Sequence, residues 1–290
     1  MKEKLTVCNA KDEDGKTAFH HACEKGHFKI AEMIISTSLK LNTDLNAKDS
    51  SNKTAFHFVC EKGHSKIAEI ILSKSSEMNI DLNPKDEGDM TAFHFVCEKG
   101  HSKIAEMILN KSPYLKIDLN AKDIGDRTAF HYVCEDGQLE IAEMILNKSL
   151  ELNMELSAQD SDGKTPFHSA CYEDHSEISE MILTKSTELN IDLNSRDNYG
   201  HTAFHFVCEN GNLELAAMFL ERSVELKIDL NAKDENGTTA FHEALMNRHF
   251  EIVKMFEDKS AELGIHLDKP NEKVQELFDW HARGCWGPGD

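Results

Sequence analysis

Residues 49–85 read DSSNKTAFHFVCEKGHSKIAEIILSKSSEMNIDLNPK, and variants of this stretch fill most of the chain. Thr17, Thr54, Thr91, Thr128, Thr165, Thr202 and Thr239 each open a Thr-x-Phe-His tetrad, and every step between them is 37 residues. A fixed period of this size marks a solenoid of stacked repeats, because one unit cannot bury its apolar face alone. Within the quoted unit, DSSN is turn chemistry. Thr54 is placed to cap a first helix over 55–62. In the fifth repeat the next residue is Pro166, which suits the first helical position. Gly63 closes that helix. Ile67, Ile70 and Ile71 then share one face of a second helix, and Asp81-Leu82-Asn83 leads on, extended, to the next turn.

These residues resemble the ankyrin repeat. The family's Thr-Pro-Leu-His appears as TAFH, or as TPFH from Thr165, and its Ala-Ala-x-x-Gly-His appears as ACEKGH or VCEKGH. Its Asp-Val-Asn-Ala-x-Asp appears as DLNAKD, for example over 44–49. The resemblance covers seven repeats over residues 12–268, between an N-terminal segment, 1–11, and a tail, 269–290. It implies an all-α solenoid: antiparallel helix pairs with β-hairpin-like fingers projecting sideways, stacked into a curved array.

Three departures from the family pattern matter. The period exceeds the usual 33 residues by four. The glycine that ends the family's second helix is replaced here by Asn42, Asn79, Lys116, Asn153, Asn190 and Lys227, and kept at Gly264. Gly and Asn tolerate the left-handed cap, so the finger is intact and the extra residues lengthen the second helix by about one turn. Ser38, Ser75, Ser112, Ser149, Ser186, Ser223 and Ser260 lie in that added region. A bend is expected at Ser112, before Pro113; the alternative is a break, with Ser-Pro starting a new short helix. Second, the finger glycine becomes Asn52, Asp89 and Asp126 in repeats two to four, where Asn and Asp still reach positive φ. Third, the glycine between helices becomes Asp174 and Arg248 in repeats five and seven, where local strain is expected.

Net charge is −20. Such a surface repels phosphate backbones and anionic headgroups, so nucleic acid and membrane surfaces are poor partners. The N-terminus, MKEKLTVCNAKDEDGK, has no apolar signal-like region, and no segment is apolar enough to cross a membrane. A cytoplasmic or nuclear monomer is expected. Six of the eight cysteines follow the repeat histidine by three residues (Cys23, Cys60, Cys97, Cys134, Cys171, Cys208), a regularity that predicts reduced core thiols.

The His-x-x-Cys pairs, such as His20/Cys23, share a helical face as zinc ligands would. A structural site needs four convergent ligands, and each repeat offers one such pair, so packing is the expected role and no cofactor is expected. The resemblance implies that this histidine bridges the Thr cap and neighbouring backbone. A second set, His27, His64, His101, His175 and His249, is expected to hydrogen-bond between repeats. Neither a nucleophile motif nor a phosphate-binding Gly loop is present, so no enzyme is expected. Glu61 and Glu98, each beside a Lys, read as solvated surface charge.

In the family, partners meet the finger tips and the C-terminal end of the first helix. Helix-end positions repeat here, while finger tips vary, and aromatic, Met and Arg residues are enriched at interfaces. Met90, Ile124, Arg127, Tyr199 and His201, with Tyr172 at a helix end, are the candidate protein-binding residues. The expected function is a non-catalytic interaction scaffold or adaptor that binds partner proteins on its concave finger surface. One alternative is a targeting subunit of a ubiquitin ligase or phosphatase complex, or a fragment of a larger scaffold or channel. Another is a structural spacer. The tail breaks the period, and Val274, Leu277 and Phe278 could form one apolar face of a capping helix.

Overall fold

The computed structural model describes residues 9–265 and residue 267. The expected tail helix, with Val274, Leu277 and Phe278, lies outside the described residues. Among those described, each repeat supplies a short first helix and a longer second one, and none contributes a strand. The pairs are α1 (Ala18–Glu24) and α2 (Phe28–Leu41); α3 (Ala55–Lys62) and α4 (Ser65–Met78); α5 (Ala92–Glu98) and α6 (Ser102–Leu115). They continue as α7 (Ala129–Glu135) and α8 (Leu139–Leu152); α9 (Pro166–Tyr172) and α10 (Ser176–Leu189). The last are α11 (Ala203–Asn210) and α12 (Leu213–Leu226); α13 (Ala240–Met246) and α14 (Phe250–Leu263).

Contacts group the chain into two compact units, one within residues 1–155 and one within 156–290. In the first unit α1, α3, α5 and α7 pack in succession as one row, and α2, α4, α6 and α8 as another. In the second, α9, α11 and α13 form the first row and α10, α12 and α14 the other. This is the solenoid that the period predicts. Its core alternates Phe, Val and Cys from first helices with Ile, Ala and Leu from second helices, as in Phe56, Val59, Cys60, Ile67, Ala68 and Ile71.

The Thr-x-Phe-His tetrad closes the start of each first helix. In the second repeat the Thr54 amide donates to His57 Nδ1 at 3.0 Å, and the Thr54 hydroxyl lies 2.9 Å from the same nitrogen. With Nδ1 accepting, the ring proton sits on Nε2, which donates to the Met90 carbonyl of the next finger at 3.2 Å. His20, His94, His168 and His205 make the equivalent bonds to the carbonyls of Lys53, Arg127, His201 and Thr238. Burial favours the neutral ring and pulls His57 and His205 down to about 4.

Each second helix spans 14 residues. The expected cap slots, Asn42, Asn79, Lys116, Asn153, Asn190, Lys227 and Gly264, all take left-handed backbone, including the two lysines at φ 52 and 55. The helix through Pro113 runs unbroken to Leu115, so the alternative of a new helix starting at Ser112 does not hold. The Ser112 hydroxyl donates to the Leu109 carbonyl at 3.1 Å, the acceptor that Pro113, lacking an N–H, cannot serve. The buried serines of other repeats do the same, for example Ser75 to Leu72 at 3.2 Å, so a polar atom in the core is satisfied locally.

Of the second histidine set, His64, His101 and His249 bond across repeats as expected. His64 Nε2 lies 3.1 Å from the Glu24 carbonyl and His101 Nε2 3.1 Å from that of Glu61. This ring explains the glycine between helices. Gly26 has φ +70, and a Cβ there would come within 2.6 Å of His64 Cε1. Asp174 and Arg248, where strain is expected, take the same left-handed backbone, φ 59 and 63. The repeat after Asp174 carries the smaller Asn212 in place of His, and its Nδ2 donates to Asp174 Oδ1 at 2.7 Å.

Candidate protein-binding surface

The fingers are built from aspartates. Asp49 Oδ1 accepts from the amides of Ser51 and Lys53, both at 2.9 Å, while the Asp49 amide donates to the Lys53 carbonyl at 2.9 Å. The result is a hairpin-like turn without a strand ladder. Asn52, Asp89 and Asp126 supply its left-handed corner at φ 62, 58 and 59, as expected of residues that replace glycine. Successive fingers are tied by backbone: Ser50 to Asp14, Glu87 to Ser51 and Ile124 to Gly88 in the first unit, Asn198 to Asp162 and Glu235 to Tyr199 in the second.

The last residue of each finger precedes the Thr cap, and its side chain folds back over the first helices. In the first unit Lys16 Nζ lies 4.6 Å from the centre of the Phe58 ring and 3.1 Å from Glu24. Lys53 Nζ lies 4.3 Å from Phe95, 5.8 Å from Phe58 and 2.9 Å from Glu61. Arg127 lies 4.4 Å from the Tyr132 ring, and its Nη1 is 3.4 Å from Glu135. Each finger cation is therefore held by aromatic faces and a helix-end carboxylate. Glu61 and Glu98 are not the freely solvated charges that their neighbouring lysines suggested: Glu61 is held by Lys53 and Lys62, and Glu98, 28% exposed, by Lys99. The Glu24 and Glu61 side chains are 19% exposed; burial raises both carboxyls, and Lys16 at Glu24 and Lys62 with Lys53 at Glu61 override it and lower them.

The candidate residues fall into two groups. In the first unit Ile124 stands at a finger tip with 75% of its surface exposed. Arg127 folds inward: it binds Asp123 Oδ2 through Nε at 3.1 Å and donates from Nη2 to the Tyr132 hydroxyl. That hydroxyl donates to Asp123 Oδ2 at 2.6 Å and sits 3.9 Å from the sulfur of half-buried Met90. Arg127 and Met90 thus meet around Tyr132, a residue that the sequence reading did not single out.

In the second unit Tyr172 ends α9 and is 48% exposed, its ring edge-on to Phe206 at 5.3 Å. Lys164 Nζ lies 4.2 Å over Tyr172 and 5.4 Å from Phe206. His201 packs on Phe206 at 5.4 Å, with Nδ1 3.2 Å from Asp197 Oδ2 and Nε2 3.6 Å from Asp234 Oδ2. The hydrogen bond to Asp197 raises His201 above the usual imidazole range. Tyr199, 58% exposed, leans on His201 at 6.2 Å. Burial, then the charge of Glu209, pushes nearby Glu243 up to about 7. Tyr172 and His201 are therefore brought together around Phe206, with Tyr199 against His201.

Phe58, Phe95, Tyr132 and Phe206 all occupy the residue after the repeat histidine, and Lys53 and Arg127 stand five residues before such a ring. The 37-residue register carried this signal, but it shows only when finger and helix positions are compared across neighbouring repeats. For metals, both ring nitrogens of His20, His57, His94, His168 and His205 are occupied by Thr and carbonyl partners. Among the described residues no three His, Cys, Asp or Glu side chains converge on one point.

Profiles for ankyrin repeats match the sequence over residues 7–59, 37–123, 114–197 and 186–266. No curated protein matches it. Among solved structures, the ankyrin repeat domain of Bcl-3, described as a unique member of the IkappaB protein family, superposes with a TM-score of 0.67 at 19% identity. That match covers 83% of this chain and all of the Bcl-3 domain, a likeness of fold. With profile matches running nearly end to end over helix pairs and fingers of this geometry, the chain belongs to the ankyrin repeat family.

Proposed function

We propose that this protein is a non-catalytic interaction scaffold or adaptor that holds a protein partner against its fingers. Ankyrin repeats are in general protein–protein interaction modules. The observation that supports the reading here is the contrast between frame and tip. Each finger is pinned by its Asp carboxylate, by the repeat histidine and by the neighbouring finger, yet Ile124 and Tyr199 remain exposed apolar tips. A rigid frame with variable exposed tips lowers the ordering cost of binding and lets one partner be told from another. The regular row of buried thiols suits a reducing compartment, the cytoplasm or nucleus.

Affinity purification with mass spectrometry supplies the partner, and its affinity is then measured against Ile124→Ala, Tyr199→Ala and the triple change that adds Arg127→Ala. A central anchor lost in this way costs about 2 kcal/mol, roughly a 30-fold weakening. Unchanged affinity in all three variants, each folded by circular dichroism, overturns the finger-surface reading.

A further inference from the structure

In the first unit the finger cations form a series with one member missing. Lys16, Lys53 and Arg127 fill their slots, and the third repeat carries Met90 at the same register. In the second repeat Glu61 is saturated: Oε2 holds Lys53 at 2.9 Å and Oε1 holds Lys62 at 2.8 Å. In the third repeat Glu98 Oε1 holds Lys99 at 2.7 Å, and Oε2 has no ion pair or hydrogen bond among the described residues. The rings that would flank a cation there are present. Phe95 stands where Phe58 flanks Lys53 from its own repeat, and Tyr132 where Phe95 flanks it from the next. The backbone is the same too, since Met90 bonds Asp86 as Lys53 bonds Asp49.

We propose that this slot is the recognition point for one Lys or Arg side chain of a partner protein, inserted between Phe95, Tyr132 and Glu98. The proposal rests on the finger-surface reading and names the partner's chemistry. The neighbouring slots show what the site accepts, because the chain fills each of them with a cation of its own. Glu98 supplies the charge and the rings supply the face. Met90 is unbranched, half-buried and held by no strong polar bond, so it can turn aside or lie along the partner's aliphatic stem. The chain's net charge of −20 draws a basic segment toward the slot. Lys99 does not fill it, because its ammonium sits on the other carboxylate oxygen, as that of Lys62 does beside a filled slot.

The test uses the full chain labelled with 13C at the methionine methyls, titrated with N-acetyl-arginine methylamide and, separately, with its uncharged citrulline counterpart. The Met90 methyl is expected to shift saturably with the arginine probe and about fivefold more weakly with citrulline. Glu98→Gln is expected to weaken the arginine response by a similar factor, about fivefold, and Leu150→Ala, at an exposed position of α8, to leave it unchanged. Raising salt from about 0.05 M to about 0.5 M is expected to reduce it in the unaltered chain, which keeps the test open should Glu98→Gln not fold. No saturable shift, equal shifts for the two probes, or a response indifferent to both Glu98→Gln and salt overturns the slot. Partner affinity in Ile124→Ala and Tyr199→Ala bears only on the finger surface, so either reading can fail without the other.

Discussion

The repeat histidines are neutral by construction: one nitrogen accepts from the Thr cap while the other donates to the next finger. Protonation ends the acceptance at Nδ1 and buries a charge. The folded values of His57 and His205, about 4, lie below the ordinary 6.5. The neutral form is thus favoured by folding, and the stability it contributes is fully present above about pH 6.5 and lost as pH falls through 4. His20, His94 and His168 are displaced in the same direction, so their losses accumulate. Thermal melting is expected to fall steeply between pH 6.5 and 4, and His57→Gln is expected to flatten the curve while lowering stability by about 1–3 kcal/mol at neutral pH. His201 has the opposite sign: raised by Asp197, it adds stability below its unfolded value and loses it as pH climbs through the folded one. At the slot that Met90 occupies, Met90→Lys is expected to raise stability by about 0.5–1 kcal/mol through the Phe95, Tyr132 and Glu98 contacts, read as a higher denaturant midpoint.

The linker between helices is an element in which two residues from adjacent repeats must agree. Gly26 admits the His64 ring and Gly63 the His101 ring, whereas Asp174 is matched by Asn212. Restoring only one partner is therefore expected to fail. Asn212→His brings a ring against the Asp174 side chain and is expected to cost about 1–3 kcal/mol, with Asp174→Gly in the same chain recovering most of it. A double-mutant cycle by urea denaturation measures the coupling, and additive effects would sink the idea. The left-handed backbone at Asp174 was legible because the family places Gly there. Its compensation was not, since Asn212 acts 38 residues away and reads in isolation as an ordinary loop residue. The added turn of the second helix was legible for a similar reason: the cap slots kept their distance from the finger, so extra residues had to fall inside the helix. Pro113 suggested a possible break because sequence shows the missing donor, not the Ser112 hydroxyl that serves Leu109.

At the scale of the whole molecule, the period announced a stacked solenoid and the TAFH, VCEKGH and DLNAKD motifs its helix pairs and fingers, while the site was readable only in part. Ile124, Tyr172 and Tyr199 are exposed as their positions suggested, but Arg127 and His201 are drawn inward by Asp123 and Asp197. Side chains that close internal networks look like contact residues when only composition is visible. The monotonous Glu-Lys pairs were set aside as surface charge, yet they carry the cation row. The thiols give a reading of cooperativity across the chain. Burial pushes the Cys23, Cys60, Cys97, Cys171 and Cys208 thiols up, Cys171 to about 12, which suppresses the reactive thiolate. Labelling of Cys23, Cys60, Cys97, Cys134, Cys171 and Cys208 in native buffer is expected to be slow, accelerating only where denaturant opens the core. Rapid native labelling of most of them would contradict the packing described.

The histidine bond from each cap to the following finger has a direction. His20 reaches forward to Lys53, His57 to Met90 and His94 to Arg127, and Asn46 likewise reaches forward to Asn79. A repeat emerging from the ribosome therefore holds donors whose acceptors have not yet been translated. Each unit closes one step behind synthesis, and arrested nascent chains should protect a given cap from proteolysis only after the next finger has cleared the exit tunnel.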